Sequence, residues 1–418
     1  MGLSIGLLHF TASPVVGGVE TVLGHHARLM ADAGHAVRMI TGRGGLPDPR
    51  VALVRIPLAD GRHPAVRGVQ RALDAGTIPT GYDGLVDALA RDLGEATAGL
   101  DVVVAHNVCS LNVNIPLTAA LRRLVEDRAI RRLVTWNHDV AAASDRYRAR
   151  LHPGRPWDLF REPWPGTIAV SISEARRTEL AAAIGMPAGE IRVVPNGIDR
   201  GRFLGLAPAT LRLIDALDLR TAAPVLLTPA RVMPRKNLEL AIRVAAELRR
   251  SGEDARLLLT GAPDAQDVAS RAHLDALRTL VPAGAGGPAG IDRADGGVHL
   301  LVDGPPAWRS PRVVADLYRI ADALFLPSRE EGFGLPVLEA GVSRLPVICA
   351  DIPALHELAG DDATYVDPGG DPTAVAAQVR GRLDADPAYR LAARSRSSFS
   401  WDAVYETRIR PLLEEAGG

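Results

Sequence analysis

Apolar and polar positions follow two rhythms along this chain. Short, fully apolar runs bounded by glycine, proline or a polar turn read as buried strands; longer stretches with apolar residues at helical spacing read as amphipathic helices. In the first half the pattern predicts strands at residues 4–10, 36–41, 51–56, 101–105, 132–135, 167–172 and 191–194. It predicts helices at 19–33, 83–98, 117–126 and 174–184, with Gly34 closing the first and Ser173 capping the last. Residues 42–84 are rich in Pro, Gly and Arg, and 60–81 read either as a mobile acceptor loop or as a plain surface excursion. After a linker at about 200–222 the rhythm restarts. Strands are expected at 224–228, 256–260, 298–302, 323–326, 346–350 and 363–366. Helices are expected at 238–250 with Asn237 at the N-cap, at 264–281 and 312–320, from Pro336 onward, at 354–358, 372–383 and 387–394, and finally in an amphipathic run to Glu415. Residues 282–297, rich in Pro, Gly and Ala, receive no assignment. Two separate series of alternating strands and helices imply an α/β chain whose ligands sit at the carboxyl ends of the strands.

The chain is organised around one stretch. The strand 323–326 ends at Pro327, and Ser328-Arg329-Glu330-Glu331-Gly332-Phe333-Gly334-Leu335-Pro336 leads into Val337-Leu338-Glu339-Ala340. Strand, glycine loop and helix N-terminus in succession turn free amides and the positive dipole end outward, a seat for an anion or a polar ligand. Glu331 and Glu339 bracket that seat; carboxylates accept hydrogen bonds from hydroxyls, in which sugars are rich. A second glycine loop, Pro14 to Glu20 with Gly17-Gly18, opens the first helix, without the G-x-G-x-x-G pattern of a dinucleotide site. His106-Asn107 and Trp136-Asn137-His138-Asp139 stand at the ends of two predicted strands.

Glu331, seven intervening residues and Glu339, filled by Gly-Phe-Gly-Leu-Pro, resemble the E-x7-E signature of retaining GT-B glycosyltransferases of family 4. The resemblance runs through the chain in order: the Gly17-Gly18 loop, His138, Pro195-Asn196-Gly197-Ile198-Asp199, Arg231 with Lys236, then Glu331 to Glu339. It implies the GT-B arrangement, two doubly wound Rossmann-like domains facing across a cleft. Expected boundaries are residues 1–200 on the acceptor side, 201–398 on the donor side, and a C-terminal helix, 399–418, packing back on the first domain. By the same resemblance His138, Arg231, Lys236 and Glu331 are the catalytic candidates. His138 sits by the reacting sugar, Arg231 and Lys236 clamp the donor diphosphate, and Glu331 holds sugar hydroxyls. Gly17, Gly18, Asn196, Phe333, Gly334, Leu335 and Glu339 are the substrate-binding candidates, with Glu339 on the ribose.

Composition sharpens this picture at a few points. Lys and Arg together number 48, yet Lys236 is the only lysine, so a position that keeps a compact ammonium against an arginine background stands out. Aromatic residues make up 4% of the chain, but Trp136, Tyr147, Trp157, Phe160 and Trp164 fall in one stretch interleaved with Arg146, Arg148, Arg150, Arg155 and Arg161. Trp157 and Arg161 are therefore acceptor-site candidates: sugar rings stack on aromatic faces and guanidinium groups grip anions. Local packing under an irregular segment is the equal alternative. A net charge of −1 does not favour nucleic acid as a partner. Cys109 and Cys349 lie in apolar settings and suit a reducing compartment. No apolar run approaches the roughly 18 residues of a membrane span. Asp384-Ala385-Asp386 matches a D-x-D metal motif but lies between two C-terminal helices, away from the expected site.

The function expected is transfer of a hexose from a nucleotide-diphosphate sugar, of the UDP-glucose or GDP-mannose type, to an acceptor hydroxyl. Retention of configuration is expected, with no metal and no cofactor. The acceptor is a sugar, a small acid, a glycan or a lipid. The expected location is cytoplasmic, with peripheral contact at the inner membrane face left open. A nucleotide-sugar epimerase and a carbohydrate-binding protein on a similar fold are the alternatives. A pyridoxal-phosphate phosphorylase would need the one lysine as a Schiff base.

Overall fold

The computed structural model describes residues 2–45, 48–264, 266–281 and 297–418. The chain divides into two units, one formed by Met1–Gly197 with Trp401–Gly418, the other by Ile198–Ser400.

Among the described residues the first unit carries a seven-stranded sheet: β1 (Ser4–Thr11), β2 (Ala36–Arg43), β3 (Val51–Arg55), β4 (Val102–His106), β5 (Leu133–Asn137), β6 (Ile168–Ser171) and β7 (Arg192–Val193). All neighbours are parallel, in the order β3-β2-β1-β4-β5-β6-β7. The strands read as near-continuous apolar runs because helices cover both faces. Successive side chains point to opposite sides. Ile5, Leu7, Val102, Val104, Val134 and Trp136 join one core, while Leu8, Phe10, Val103, Ala105 and Leu133 join another. The first core is closed by the helix Gly18–Asp32, through Leu23, Ala27 and Met30, and by the C-terminal segment. In that segment Trp401, Val404, Tyr405, Ile409, Leu412, Leu413 and Ala416 are buried. A π-helical turn at Tyr405–Ile409 adds one residue to the turn, so that Ile409 and not the exposed Arg408 stays on the buried face. The second core is closed by the helices Tyr82–Thr97 and Ile115–Glu126.

Two expectations change here. Residues 60–81 are not simply an excursion: Pro64–Asp74 is a helix, begun by Pro64 and anchored by buried Val66, Gln70 and Leu73. The aromatic stretch is an interior. Trp157, Leu159 and Phe160 share a buried cluster with Leu73, Leu111 and Ile115, and Trp164 belongs to the second core.

The second unit carries a six-stranded parallel sheet among its described residues: β8 (Val225–Thr228), β9 (Arg256–Leu259), β10 (Val298–Leu300), β11 (Ala323–Leu326), β12 (Val347–Ala350) and β13 (Thr364–Val366), in the order β10-β9-β8-β11-β12-β13. The helix Leu238–Arg250 buries Leu238, Ala241, Ile242, Ala245 and Leu248, the spacing of one helical face. The stretch expected as a linker forms the helices Arg200–Leu204 and Pro208–Ala216, and Leu213 enters the core. The start of β8 is tied down by a buried ion pair: both outer nitrogens of Arg396 reach Asp322, at 2.8 and 2.7 Å, and Asp322 also accepts the backbone N–H of Val225. Residues 282–296, left without assignment from the sequence, lie outside the described residues.

In each sheet the strand order reverses direction once, between β1 and β4 and between β8 and β11. In doubly wound sheets, ligands bind beyond the carboxyl ends of the strands that flank such a reversal.

Candidate active site

In the second unit the loops after β8 and β11 are laced together at the switch point. Asn237 adopts the left-handed conformation, φ +54°. Its side chain does not cap the helix it precedes; it crosses over and donates to the carbonyls of Pro327, at 2.9 Å, and Pro368, at 2.8 Å. Arg329 returns the tie, with its backbone N–H on the carbonyl of Arg235 and its guanidinium on Asn237 Oδ1. That lacing brings Lys236 and Glu331 together. Lys236 Nζ lies 2.6 Å from each carboxylate oxygen of Glu331, and the two side chains are 12% and 6% exposed. Ser328 Oγ donates to Glu331 Oε1 at 2.7 Å, and Arg235 stands 4.0 Å from Oε2. The sole lysine and the first glutamate of the E-x7-E pattern are thus each other's partners.

Arg231 lies five positions before Lys236 on the same loop. Its guanidinium is exposed and bonded to Asp264, whose carboxyl is held below its usual range by the backbone N–H of Gln266 and then by Arg231. Gly334, φ +94°, caps the helix Leu335–Val342, and a Cβ there would lie 2.7 Å from Leu355 Cδ2. Gly332 has open space around it. Phe333 and Leu335 are exposed. Glu339, one turn into the helix, accepts from the Tyr318 hydroxyl, whose pKa is raised first by burial and then by that bond. The helix starts at Leu335, one residue earlier than expected.

In the first unit Gly17 caps the helix Gly18–Asp32. Glu20 folds back over it: Thr11 Oγ1 donates to Glu20 Oε1 at 2.6 Å, and a Cβ at Gly17 would meet Glu20 Oε2 at 2.0 Å. Gly18 is open. His138 is buried at the end of β5, where Asn107 Oδ1 accepts the backbone N–H groups of His138 and Asp139. His106 Nδ1 meets His138 Nε2 at 3.0 Å. Burial pushes the His138 pKa down to about 3 and that of His106 well below its usual value. Asn196 is exposed beyond β7, next to Gly197, which packs under Trp401.

Trp157 and Arg161 do not form an acceptor platform. Trp157 is 4% exposed, with its ring against His152, and both outer nitrogens of Arg161 donate to backbone carbonyls, at His152 and Leu151. An aromatic-rich run next to arginines was open to either reading; here burial of the rings wins, and with it goes the feature that favoured a carbohydrate-binding protein. Asp386 of the D-x-D sequence caps the helix Pro387–Phe399 and pairs with Arg382. Glu20, Ser328 and Tyr318 are supporting residues to which the sequence assigned no role, and Asn107, placed at a strand end from the sequence, was given none either. Only Asn107 carried a signal, a residue tolerant of positive φ directly after a buried strand.

Two family descriptions match the chain, one over each unit: "Glycosyltransferase Family 4" over residues 16–202 and "Glycosyl transferases group 1" over residues 223–384. The chain belongs to glycosyltransferase family 4. This family 4 chain is similar to the D-inositol 3-phosphate glycosyltransferase of Kineococcus radiotolerans, at 32% identity over 57% of this chain and 55% of the relative. It therefore spans about half the length of the curated relatives it matches first. D-inositol 3-phosphate glycosyltransferase 1 of Catenulispora acidiphila is 29% identical over 94% of this chain and 91% of its own. A solved glycosyltransferase from Rickettsia africae ESF-5 aligns over 100% of this chain and 98% of its own at 15% identity, with a TM-score of 0.39. Each unit carries one doubly wound parallel sheet, the layout that the resemblance implied for each half of the chain.

Proposed function

We propose that this family 4 chain transfers a hexose from a nucleotide-diphosphate sugar, of the UDP-glucose or GDP-mannose type, to an acceptor hydroxyl with retention and without a metal. The observation that carries the reading is the Lys236–Glu331 pair at the β8/β11 switch point. An ammonium and a carboxylate held on each other are what a donor with an anionic leaving group and a hydroxyl-rich sugar can exchange partners with. Lys236 and Arg231 take the diphosphate, and Glu331 accepts from sugar hydroxyls. Ser328 stays beside Glu331 throughout, so the acid is never left without a donor. Glu339, oriented by Tyr318, takes the ribose hydroxyls. The loop amides from Gly332 to Leu335 supply further donors and Phe333 completes this unit's contacts, while Gly17, Gly18 and Asn196 are the substrate-binding candidates of the first unit.

As the bond from the anomeric carbon to the diphosphate oxygen breaks, its electron pair goes to the diphosphate. Fixed cations stabilise that charge most where they need not reorganise. The acceptor oxygen attacks from the side on which the leaving group departs, and a diphosphate oxygen receives its proton. No protein nucleophile is required. His138 is the first unit's candidate for contact with the reacting sugar. The relatives' names make a phosphorylated inositol the first acceptor to test.

The test is nucleotide-diphosphate release from UDP-glucose, GDP-mannose and ADP-glucose, with and without an inositol phosphate and with and without EDTA, followed by the anomeric configuration of the product. Acceptor-dependent release from one donor, unchanged by EDTA and giving a retained linkage, supports the reading; an inverted product or an EDTA-sensitive rate contradicts it.

A further inference from the structure

His138 does not stand alone. Its ring Nε2 is 3.0 Å from His106 Nδ1, and the two ring planes are near-parallel, 26° apart. His106 is fully buried, lies near-parallel to Trp136, and has the tilted ring of His26 at 5.3 Å. Its carbonyl accepts from His9 Nδ1 at 2.8 Å, which ties the ends of β1 and β4 at the switch point. Asn107, φ +59°, clasps the His138 backbone and donates to Asp139. Both the backbone and one ring nitrogen of His138 are therefore placed by residues at the end of β4.

The proton in the His106–His138 bond has two places to sit. If it sits on His138 Nε2, then neutral His106 must carry its own proton on Nε2, which is buried and has no partner. That N–H would be an orphaned donor beside Trp136 Nε1 and His26, whose nitrogens are also unpartnered, so donors already outnumber acceptors there. An orphaned buried N–H is the rarer and costlier defect. If the proton sits on His106 Nδ1, it is donated to His138 Nε2, and only a bare ring nitrogen is left buried. His138 then carries its proton on Nδ1, the nitrogen that no described residue engages. Burial keeps both rings neutral, so a doubly protonated ring is not an alternative.

We propose that His106 is a positioning residue that fixes His138 as the Nδ1–H tautomer, so that His138 offers the ligand a hydrogen-bond donor and is not a general base. The consequence for the reaction rests on the reading that His138 faces the donor sugar; the tautomer itself does not. An N–H at that atom suits a lone-pair oxygen, whether a sugar hydroxyl or a diphosphate oxygen.

The test is side-chain nitrogen NMR of the full chain with 15N-labelled histidine at neutral pH, with His138→Asn used to assign the signals. The expected spectrum has His138 pyrrole-like at Nδ1 and pyridine-like at Nε2. In His106→Leu the His138 signals should move toward the Nε2–H form, and kcat/KM for the donor should fall by about 10-fold or more. In His106→Asn, whose amide N–H2 lies near the original Nδ1, tautomer and activity should largely return. Pyridine-like Nδ1 in the unmodified chain overturns the proposal, and that spectrum decides the matter even if His106→Leu fails to fold. A tautomer that shifts as expected in His106→Leu while kcat/KM stays unchanged overturns only the placing of His138 beside the sugar.

Discussion

Lys236 Nζ sits equidistant, 2.6 Å, from the two carboxylate oxygens of Glu331, although 94 residues separate them along the chain and they leave different strands of one sheet. The pair has two functions that can be separated. Removing one partner of a buried pair leaves an uncompensated charge and typically costs about 3–5 kcal/mol. Lys236→Ala should therefore lower stability in urea unfolding as well as abolish turnover. Lys236→Met combined with Glu331→Leu should regain most of the stability and none of the activity. Recovery of activity in the double variant would show that the pair is only structural.

Glu331→Gln keeps the shape and removes the charge. We expect a loss of about 100-fold or more in kcat/KM, about 3 kcal/mol of transition-state stabilisation. Arg231→Ala should be as damaging to turnover, but since the Arg231 guanidinium is exposed and, among the described residues, is bonded to Asp264 alone, its unfolding midpoint should not move. Normal activity in Arg231→Ala would remove it from the diphosphate clamp.

The two glycines of the E-x7-E loop should behave differently. Gly334 has positive φ and packs against Leu355, so Gly334→Ala strains the backbone and collides with a core side chain; a destabilisation of about 1–3 kcal/mol is expected. A Cβ at Gly332 would meet none of the described residues within 4 Å, so Gly332→Ala should leave the unfolding midpoint unchanged and weaken donor binding only if the ligand approaches that point of the backbone. Comparing the two by unfolding and by donor titration separates the loop's fold from its function.

Stability should depend on pH through the buried histidines. His26 and His138 have pKa values pushed down by burial to about 3, against 6.5 in the unfolded chain. Between those values the unfolded state binds more protons than the native state. Stability therefore falls as the pH drops below about 6.5, by up to about 1.4 kcal/mol per pH unit for each such ring, and the loss levels off near pH 3. His26→Phe should flatten the slope of unfolding free energy between pH 6.5 and 5; an unchanged slope would mean that His26 is not buried neutral.

The buried pair Arg396–Asp322 should matter to folding and not to chemistry. Both side chains are 3% exposed, and Asp322 also holds the start of β8. Arg396→Ala should cost about 3–5 kcal/mol in urea unfolding, with donor KM unchanged for the folded fraction.

The alternating series was legible because the inner strands are covered on both faces, so Ile5, Leu7 and Leu8 had to be apolar alike, and because Gly34 and Ser173 mark helix ends by conformation and hydrogen bonding that few other residues supply. The helix Pro64–Asp74 was hidden because its buried face is only Val66, Gln70 and Leu73, set among Gly and Arg. The site's parts were readable as a set of residue types on strand ends. Their pairing was not. Nothing local says that Lys236 meets Glu331, that His106 meets His138, or that Asn237 reaches Pro368, since those contacts come from strand order in the sheets. Trp157 failed as a ligand residue for a related reason: a tryptophan suits a core as well as a sugar, and only the packing of the helix Pro64–Asp74 against it decides.

The measurement that bears most directly on the Lys236–Glu331 exchange is calorimetric titration of UDP against UDP-glucose, with GDP against GDP-mannose in parallel, into the unmodified chain, Lys236→Ala and Glu331→Gln. The expected result is that Lys236→Ala loses both the nucleotide and its sugar, while Glu331→Gln binds the nucleotide as well as or better than before and loses only the extra affinity that the sugar contributes. Unimpaired nucleotide binding by Lys236→Ala, or equal weakening of nucleotide and nucleotide-sugar by Glu331→Gln, would contradict it.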